Sequence, residues 1–349
     1  MSSTVRILEG DCLSRLCEIN SESVQCVVTS PPYWGLRDYG VDGQIGLEET
    51  PDCYVRKMVS VFREVSRVLR KDGTLWLNLG DSYAGSWGEQ SRSDGNNNGS
   101  TLQRSSLLSA RQIAASPKRT STGSLKNTPG LKPKDLVGIP WRVAFALQED
   151  GWYLRQDIIW SKPNPLPESV RDRCTKSHEY IFLFSKSERY FYDADSISEP
   201  CKTGDRGSSF VNERSLKIKP NLGKGPRTPK VKGGPSTGGG SFGDTRNKRS
   251  VWEIPVKPFK GAHFATFPPE IPTPCILAGS RPGDTVLDPF GGAGTTGLVA
   301  LRLERNAVLI EINPDYARIS ARRIRMSNRL FGNAIIEPFY TPSFQKGKE

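Results

Sequence analysis

Apolar and polar residues in the N-terminal third of the chain follow the periodicities of buried strands and of one amphipathic helix. Residues 5–9 have the length of a short strand, and 24–29 is almost continuously apolar, as in parallel strands covered on both faces. Apolar residues fall at helical spacing over 53–70, and 74–79 is apolar again. We expect Lys71-Asp72-Gly73 to end the helix. Strand, helix and strand with tight turns predict a doubly wound α/β sheet.

The C-terminal part of the chain repeats this alternation. A strand at 285–288, a helix to about residue 303 and a strand at 307–312 predict a βαβ unit, which an Arg-rich amphipathic helix follows at 315–330. In the middle of the chain we expect a helix at 140–147 and strands at 153–160 and 180–185. Between the two strands, the prolines of 162–167 predict an extended loop.

Two low-complexity blocks interrupt the pattern and carry the charge. Block 84–135 holds eight Lys/Arg and three Asp/Glu, and block 199–250 holds twelve and four. The two blocks therefore have net charges of +5 and +8. Because the whole chain has a net charge of +12, the residues outside the blocks sum to −1. Localised basic excess is typical of nucleic-acid binders, although solvated loops have the same composition. The two interpretations are compatible, because flexible basic loops often become ordered when they bind the phosphate backbone of a nucleic acid.

Composition excludes several other classes. Hydrophobic residues make up 36% of the chain, and none of its apolar runs reaches the roughly 20 residues of a membrane-spanning helix. The N-terminal residues lack the pattern of a signal peptide, which favours a cytoplasmic protein. The seven cysteines include no C-x-x-C pair, so we expect reduced thiols and no metal site.

The segment from Asp288 to Thr296 is a glycine-rich loop between a strand and a helix. Its glycines let the backbone approach a ligand, and the helix start offers free N–H groups. It lacks the Gly-Lys-Ser/Thr of a phosphate loop and the spacing of the dinucleotide fingerprint. Glu311 ends the next strand, where a carboxylate can bind ribose hydroxyls. The loop is therefore a candidate nucleoside site, and the alternative is a tight βα turn.

The segment Ser30-Pro31-Pro32-Tyr33 follows the strand 24–29 and is the candidate catalytic loop. It is expected at the carboxyl edge of the sheet, where ligands bind in open α/β folds. The Ser30 hydroxyl and the Pro31 carbonyl could accept both hydrogens of an exocyclic amine, which would restore its lone pair for direct attack on a methyl group. Tyr33 offers a stacking surface, with Trp34 behind it. The alternative is an ordinary loop with an aromatic plug.

Together these motifs resemble the β-group, or permuted, DNA amino-methyltransferases, in which the catalytic motif precedes the motif for S-adenosyl-L-methionine (AdoMet). Further similar segments are Gly10-Asp11, Gly73 to Trp76, Trp160 to Pro165, His178 to Tyr180 and His263 to Pro268. The resemblance implies a Rossmann-like, seven-stranded, mostly parallel sheet of the class I AdoMet methyltransferases, with one antiparallel strand and here two basic insertions.

The same resemblance implies an activity. The expected protein is a sequence-specific DNA methyltransferase, either of a bacterial restriction-modification system with a possible cognate endonuclease or encoded by a phage. The expected reaction is base flipping in double-stranded DNA followed by direct in-line methylation of an exocyclic amine. Ser30 favours N4 of cytosine, and N6 of adenine is the alternative on the same scaffold. A further alternative is a catalytically silent DNA-binding protein. A monomer and a homodimer are both compatible with the sequence.

The resemblance also assigns residues and boundaries. The catalytic residues are Ser30, Pro31, Pro32 and Tyr33. The AdoMet-binding residues are Asp11, His263, Phe264, Phe267, Asp288, Phe290, Gly291, Gly292, Gly294, Thr295, Thr296 and Glu311. The expected organisation is a catalytic half in two parts (1–83 and 136–195), a basic insertion (84–135), a target-recognition insertion (196–255), an AdoMet-binding half (256–335) and a tail (336–349).

We predict that DNA binding weakens steeply with salt, because counterions released from the phosphates drive the association. Equilibrium binding to a labelled duplex across a salt series measures the slope. A flat response would mean that the basic blocks do not contact DNA.

Overall fold

The computed structural model describes residues 3–36, 39–84, 130–201, 245–257, 267–331 and 335–339. The strands are β1 Thr4–Glu9, β2 Val24–Thr29, β3 Leu69–Leu79, β4 Tyr153–Ser161, β5 His178–Ser185, β6 Glu199–Pro200, β7 Thr245–Arg246, β8 Val251–Glu253, β9 Thr285–Asp288, β10 Asn306–Glu311 and β11 Ile335–Phe339. The helices are α1 Cys12–Leu16, α2 Pro51–Val68, α3 Ile139–Glu149, α4 Pro272–Gly279, α5 Thr295–Arg302 and α6 Pro314–Phe331, with a 3-10 turn at Asp195–Ile197. No helix in these ranges is both long enough and apolar enough to span a bilayer.

The chain forms two compact units. The larger comprises residues 1–193 and 250–349, and the smaller comprises residues 194–249. The smaller unit overlaps the segment expected to recognise the target, and within it β6 pairs with β7 in antiparallel fashion. Most of the block 84–135 lies outside the described residues.

A nine-stranded sheet organises the larger unit, in the order β11-β1-β10-β9-β2-β3-β5-β4-β8. Among the described strands of this sheet, only β5 runs antiparallel to its neighbours, β3 and β4. The predicted fold class and its one antiparallel strand are confirmed. The expected count of seven was too low because β8 and β11 extend the two edges. These strands have three and five residues, too short for a periodicity to reveal them.

Helix α2 shows how local sequence sets the elements. Thr50 caps it by accepting a hydrogen bond from the Cys53 N–H, and Pro51 occupies its first turn. Its apolar face is fully buried against the sheet. The helix ends at Val68, and the expected breaker at residues 71–73 lies inside β3 instead. The reason is the fully buried Leu69, whose extended backbone already starts the strand.

Strand β2 lies at the centre of the sheet and has all six residues buried. It pairs in parallel with β9, placing Cys26 opposite Val286 and Val27 opposite Leu287. Both strands therefore end side by side at the carboxyl edge. The chain there continues into Ser30 on one side and Pro289 on the other, so the fold brings the two sequence motifs together.

A short backbone ladder joins Ala84 to Lys134 and Asp135, at the two ends of the block 84–135. The Ala84 N–H donates to the Asp135 carbonyl at 2.8 Å, and the Lys134 N–H donates to the Ala84 carbonyl at 2.9 Å. Next to it, the Asp81 carboxylate accepts the N–H groups of Gly138 and Ile139 at 3.0 and 3.1 Å. Asp81 thereby caps α3, whose own N-cap is a glycine without a side chain.

We predict that Gly279→Ala destabilises the protein by about 1–3 kcal/mol, because a methyl group there overpacks the contact between α4 and the sheet. A Cβ at this position would lie 2.6 Å from Thr74 Oγ1 and 2.8 Å from Cys26 Sγ. Urea unfolding followed by circular dichroism measures the loss. Thr273→Ala in the same helix, at a half-buried position, is the control and should cost less. Equal stability of Gly279→Ala and wild type would contradict the packing described.

Candidate functional site

One buried carboxylate joins the two motifs. Asp288, at the end of β9, accepts hydrogen bonds from the Thr29 hydroxyl at the end of β2 and from the Thr296 hydroxyl in α5, both at 2.7 Å. The Phe290 N–H adds a third at 3.1 Å. Burial raises the pKa of Asp288 to about 6, although the three donors oppose the shift. The carboxylate thus fixes the start of both loops.

The candidate catalytic loop is fixed at several further points. The Tyr54 hydroxyl donates to the Pro32 carbonyl at 2.8 Å, and the buried Trp34 indole donates to the Glu48 carbonyl at 2.8 Å. Gly80 packs so closely against the Tyr33 ring that a Cβ at this position would lie 2.5 Å from a ring carbon. Trp34 is therefore an anchor of the loop.

The Tyr33 hydroxyl is held by polar side chains from two other strands. It donates to Glu179 Oε2 at 2.6 Å, and Asn78 Oδ1 lies 3.1 Å away. The Ser30 hydroxyl in turn donates to Tyr33 Oη at 3.3 Å, and Glu179 also forms a salt bridge with Lys162. Burial, reinforced by the Glu179 charge, raises the pKa of Tyr33 well above its usual value.

Sequence reasoning gave no role to this network. Glu179 stood in a segment noted only for family resemblance, and Lys162 was noted only for that resemblance and as the start of the proline-rich loop. The antiparallel pairing of β4 with β5 places Ser161 opposite His178 and Trp160 opposite Glu179, which brings Lys162 beside Glu179. The available signal was a pair of opposite charges at adjacent strand ends, with Lys162 directly after β4 and Glu179 at the start of β5.

An open pocket of about 830 Å³, counting solvent at its mouth, lies at the same edge of the sheet. Ten of the predicted site residues line it: Asp11, Ser30, Pro32, Phe267, Asp288, Phe290, Gly291, Gly292, Thr295 and Glu311. Sequence reasoning missed other lining residues, among them Tyr39, Gln44, Ile45 and Tyr316. No periodicity singles these four out.

The other predicted site residues lie elsewhere. Among the described residues, the lining does not include Pro31, Tyr33, Gly294 or Thr296. Gly294 has φ of 76° and lies so close to Ser320 that a Cβ would meet its hydroxyl at 2.1 Å. It therefore supports the glycine loop from behind, as the buried Thr296 does. His263 and Phe264 lie outside the described residues.

Glu311 is the buried acid of the pocket. Its carboxylate accepts the N–H groups of Gly292 at 2.7 Å and Asn313 at 2.8 Å. Burial raises the pKa of Glu311 to about 7 despite these donors. Asp11 also lines the pocket, directly after Gly10, whose N–H donates to the Glu311 carbonyl at 2.9 Å, and it caps α1 by accepting from the Ser14 N–H. Its position at the pocket wall follows from this capping.

The charge of the lining restricts the ligand. Three lining residues are acidic, namely Asp11, Asp288 and Glu311, and among the described lining residues none is Lys or Arg. Such a lining disfavours a phosphate-bearing cofactor, because phosphates are ordinarily bound by Arg and Lys and are repelled by carboxylates. Aromatic rings of Phe267, Phe290, Tyr39 and Tyr316 add flat apolar surface. The pocket therefore suits a nucleoside that carries positive charge.

Comparisons with known proteins agree with this chemistry. A family model described as DNA methylase matches residues 24–322. The chain is 47% identical over 324 residues to the type II methyltransferase M.XycI of Xanthomonas campestris pv. cyanopsidis, covering 92% of this chain and 88% of that one. It is 46% identical over 319 residues to the type II methyltransferase M.SmaI of Serratia marcescens, covering 91% and 90%.

Solved structures share the fold. A putative DNA modification methylase from Thermus thermophilus, complexed with S-adenosyl-L-methionine, gives a TM-score of 0.56 at 22% identity and covers 97% of this chain and 100% of that one. The cytosine-N4-specific PvuII DNA methyltransferase gives a TM-score of 0.56 at 20% identity, covering 96% of each chain.

We predict that Thr29→Val lowers the free energy of unfolding by about 1–3 kcal/mol, because the buried Asp288 carboxylate loses a donor. Valine keeps the shape of threonine, so packing changes little. Chemical denaturation measures the difference. Thr175→Val, at an exposed threonine, is the matched control and should change stability by less than about 0.5 kcal/mol. Equal effects of the two substitutions would mean that the Thr29–Asp288 bond contributes nothing.

Proposed function

The chain belongs to the N6/N4 DNA methylase family, and we propose that it methylates the exocyclic N4 of cytosine in double-stranded DNA. The family expected from the sequence is thereby confirmed. The protein is a type II DNA methyltransferase that uses AdoMet. We further propose that a cognate restriction endonuclease accompanies it and that a specific DNA sequence is its target.

The observation that supports this function best is the shared pocket. Ser30 and Pro32 of the catalytic loop line the same cavity as Gly291, Gly292 and Glu311. A donor held by the glycine loop and an amine held by Ser30 would therefore face each other without rearrangement of the sheet.

The residues present fit AdoMet. Glu311 can accept the ribose hydroxyls, Asp11 adds a second carboxylate to the lining, and Phe267 and Phe290 offer apolar faces for a purine. The acidic lining complements a cationic sulfonium, whereas it would repel the phosphates of a dinucleotide. When bound, AdoMet supplies an electrophilic methyl group.

The protein's contribution is positioning. The extruded base would stack on Tyr33, while the Ser30 hydroxyl and the Pro31 carbonyl accept the two hydrogens of its amine. The hydrogen bonds of Tyr33, Tyr54 and Trp34 hold this loop in place before substrate arrives. Ser30 at the first position supports cytosine as the target base, and adenine N6 remains the alternative.

Nucleoside mass spectrometry tests the proposal. The protein is incubated with mixed-sequence DNA and AdoMet carrying a deuterated methyl group, so that product made before purification is not counted. We expect labelled N4-methylcytosine. Labelled N6-methyladenine would reassign the base, and no labelled base would favour a silent DNA-binding protein. Tyr33→Ala, prepared in parallel, controls for contaminating methyltransferases.

We predict that AdoMet affinity rises with pH up to about 7 and then levels off. Because burial raises the pKa of Glu311 to about 7, its carboxyl is protonated in acid and accepts ribose hydroxyls poorly. Below that pKa the affinity should change by up to about tenfold per pH unit. Calorimetric titration of wild type and Glu311→Gln measures the effect. Equal pH dependence in the two proteins would contradict the assignment.

A further inference from the structure

Three side chains from two parts of the chain form a row that leads away from the amine site. Ser30 lines the pocket, Tyr33 lies behind it, and Glu179 lies beyond Tyr33. The oxygen-to-oxygen distances are 3.3 Å from Ser30 to Tyr33 and 2.6 Å from Tyr33 to Glu179. The row connects the position of the target amine with a carboxylate in β5.

The proton positions along this row follow from its neighbours. Tyr33 Oη carries one proton and has two acceptors, Glu179 Oε2 at 2.6 Å and Asn78 Oδ1 at 3.1 Å. The amide orientation of Asn78 is fixed, because its Nδ2 donates to Glu179 Oε2 and to the Tyr180 carbonyl. The shorter, charge-assisted bond takes the proton, so Tyr33 donates to Glu179. Ser30 then donates its own proton to Tyr33 Oη, so the lone pairs of Ser30 Oγ stay available to accept from the amine.

The far end of the row is prepared to hold a negative charge. Only 15% of the Glu179 side chain is exposed, and 18% of that of Lys162, its salt-bridge partner. Lys162 also lies 4.4 Å from the centre of the Trp160 ring. Lys176 and His178 also interact electrostatically with the Glu179 carboxylate. Glu179 is therefore a nearly enclosed hydrogen-bond acceptor that is paired with a lysine and is bonded directly to Tyr33 of the catalytic loop.

The reaction requires such an acceptor. When the amine nitrogen forms its bond to the methyl carbon, the carbon–sulfur bond breaks and its electron pair stays on sulfur. The nitrogen then carries a positive charge and one proton too many. A serine hydroxyl is too weak a base to keep this proton at neutral pH, so the proton must pass from Ser30 to another acceptor.

We propose that Ser30, Tyr33 and Glu179 form a proton relay from the methylated amine to the Glu179 carboxylate; this rests on the proposed function and adds a role for β5. The amine gives a proton to Ser30 Oγ, the Ser30 proton moves to Tyr33 Oη, and the Tyr33 proton moves to Glu179 Oε2. The products are a neutral methylamino base and a neutral Glu179 carboxyl group. Water removes that proton after product release.

Single-turnover methylation by four proteins tests the relay: wild type, Tyr33→Phe, Glu179→Gln and the double variant. Tyr33→Phe keeps the stacking ring and removes only the hydroxyl. We expect each single variant to lower the rate constant by about 10²-fold and the double variant to be no slower, because either change interrupts the same path. Rate constants in heavy water should show a solvent isotope effect in wild type that both variants lose.

Binding measurements separate proton transfer from mere positioning. We expect AdoMet affinity by calorimetry, and affinity for a labelled duplex containing the mapped target by anisotropy, to stay unchanged in Tyr33→Phe. Glu64→Gln, which removes a partly exposed carboxylate paired with Arg67 on α2, is the matched control and should retain the wild-type rate.

Several outcomes would overturn the relay. These are a full rate in Tyr33→Phe, multiplicative losses in the double variant, a wild-type rate without an isotope effect, or binding losses that parallel the rate losses. Each leaves wild-type methylation, and hence the proposed function, intact. A wild-type protein that methylates no base would instead refute the proposed function, and the relay with it.

Discussion

The hydrogen bond between Thr29 and Asp288 is the interaction on which the site depends. It joins residues 259 positions apart in sequence, at the ends of two neighbouring strands. A buried carboxylate is costly unless donors surround it, and here three donors do so. Because both hydroxyl partners come from fixed elements, the catalytic loop and the glycine loop start from positions that cannot shift independently.

Support of the two loops continues behind the pocket. The glycine loop is held from α6, where Ser320 fills the space beside Gly294 and Arg323 donates to the Ala293 carbonyl. The catalytic loop is held from α2 through Tyr54. The buried hydrogen bonds around the pocket therefore serve mainly to fix loop geometry. This is the arrangement expected when a reaction relies on positioning.

Local patterns were sufficient to place the two loops that meet at the pocket. The catalytic loop directly follows an apolar strand, and the glycine loop lies between a strand and a helix, so both could be placed at the carboxyl edge. Contacts set by long-range pairing could not be predicted: the bond from Glu179 to Tyr33 depends on the register of β4, β5 and β3. The edge strands β8 and β11 were missed because short strands carry little periodicity.

Short backbone pairings bracket both basic blocks. The ladder at Ala84 and Lys134 closes one, and the pair β6–β7 closes the other. The entropy of closing a loop grows only with the logarithm of its length. Segments anchored in this way can be lengthened, shortened or exchanged at small thermodynamic cost to the sheet. We therefore expect that new sequence grafted between β6 and β7, within the proposed target-recognition insertion, changes DNA specificity while the strands that carry Thr29 and Asp288 stay in place.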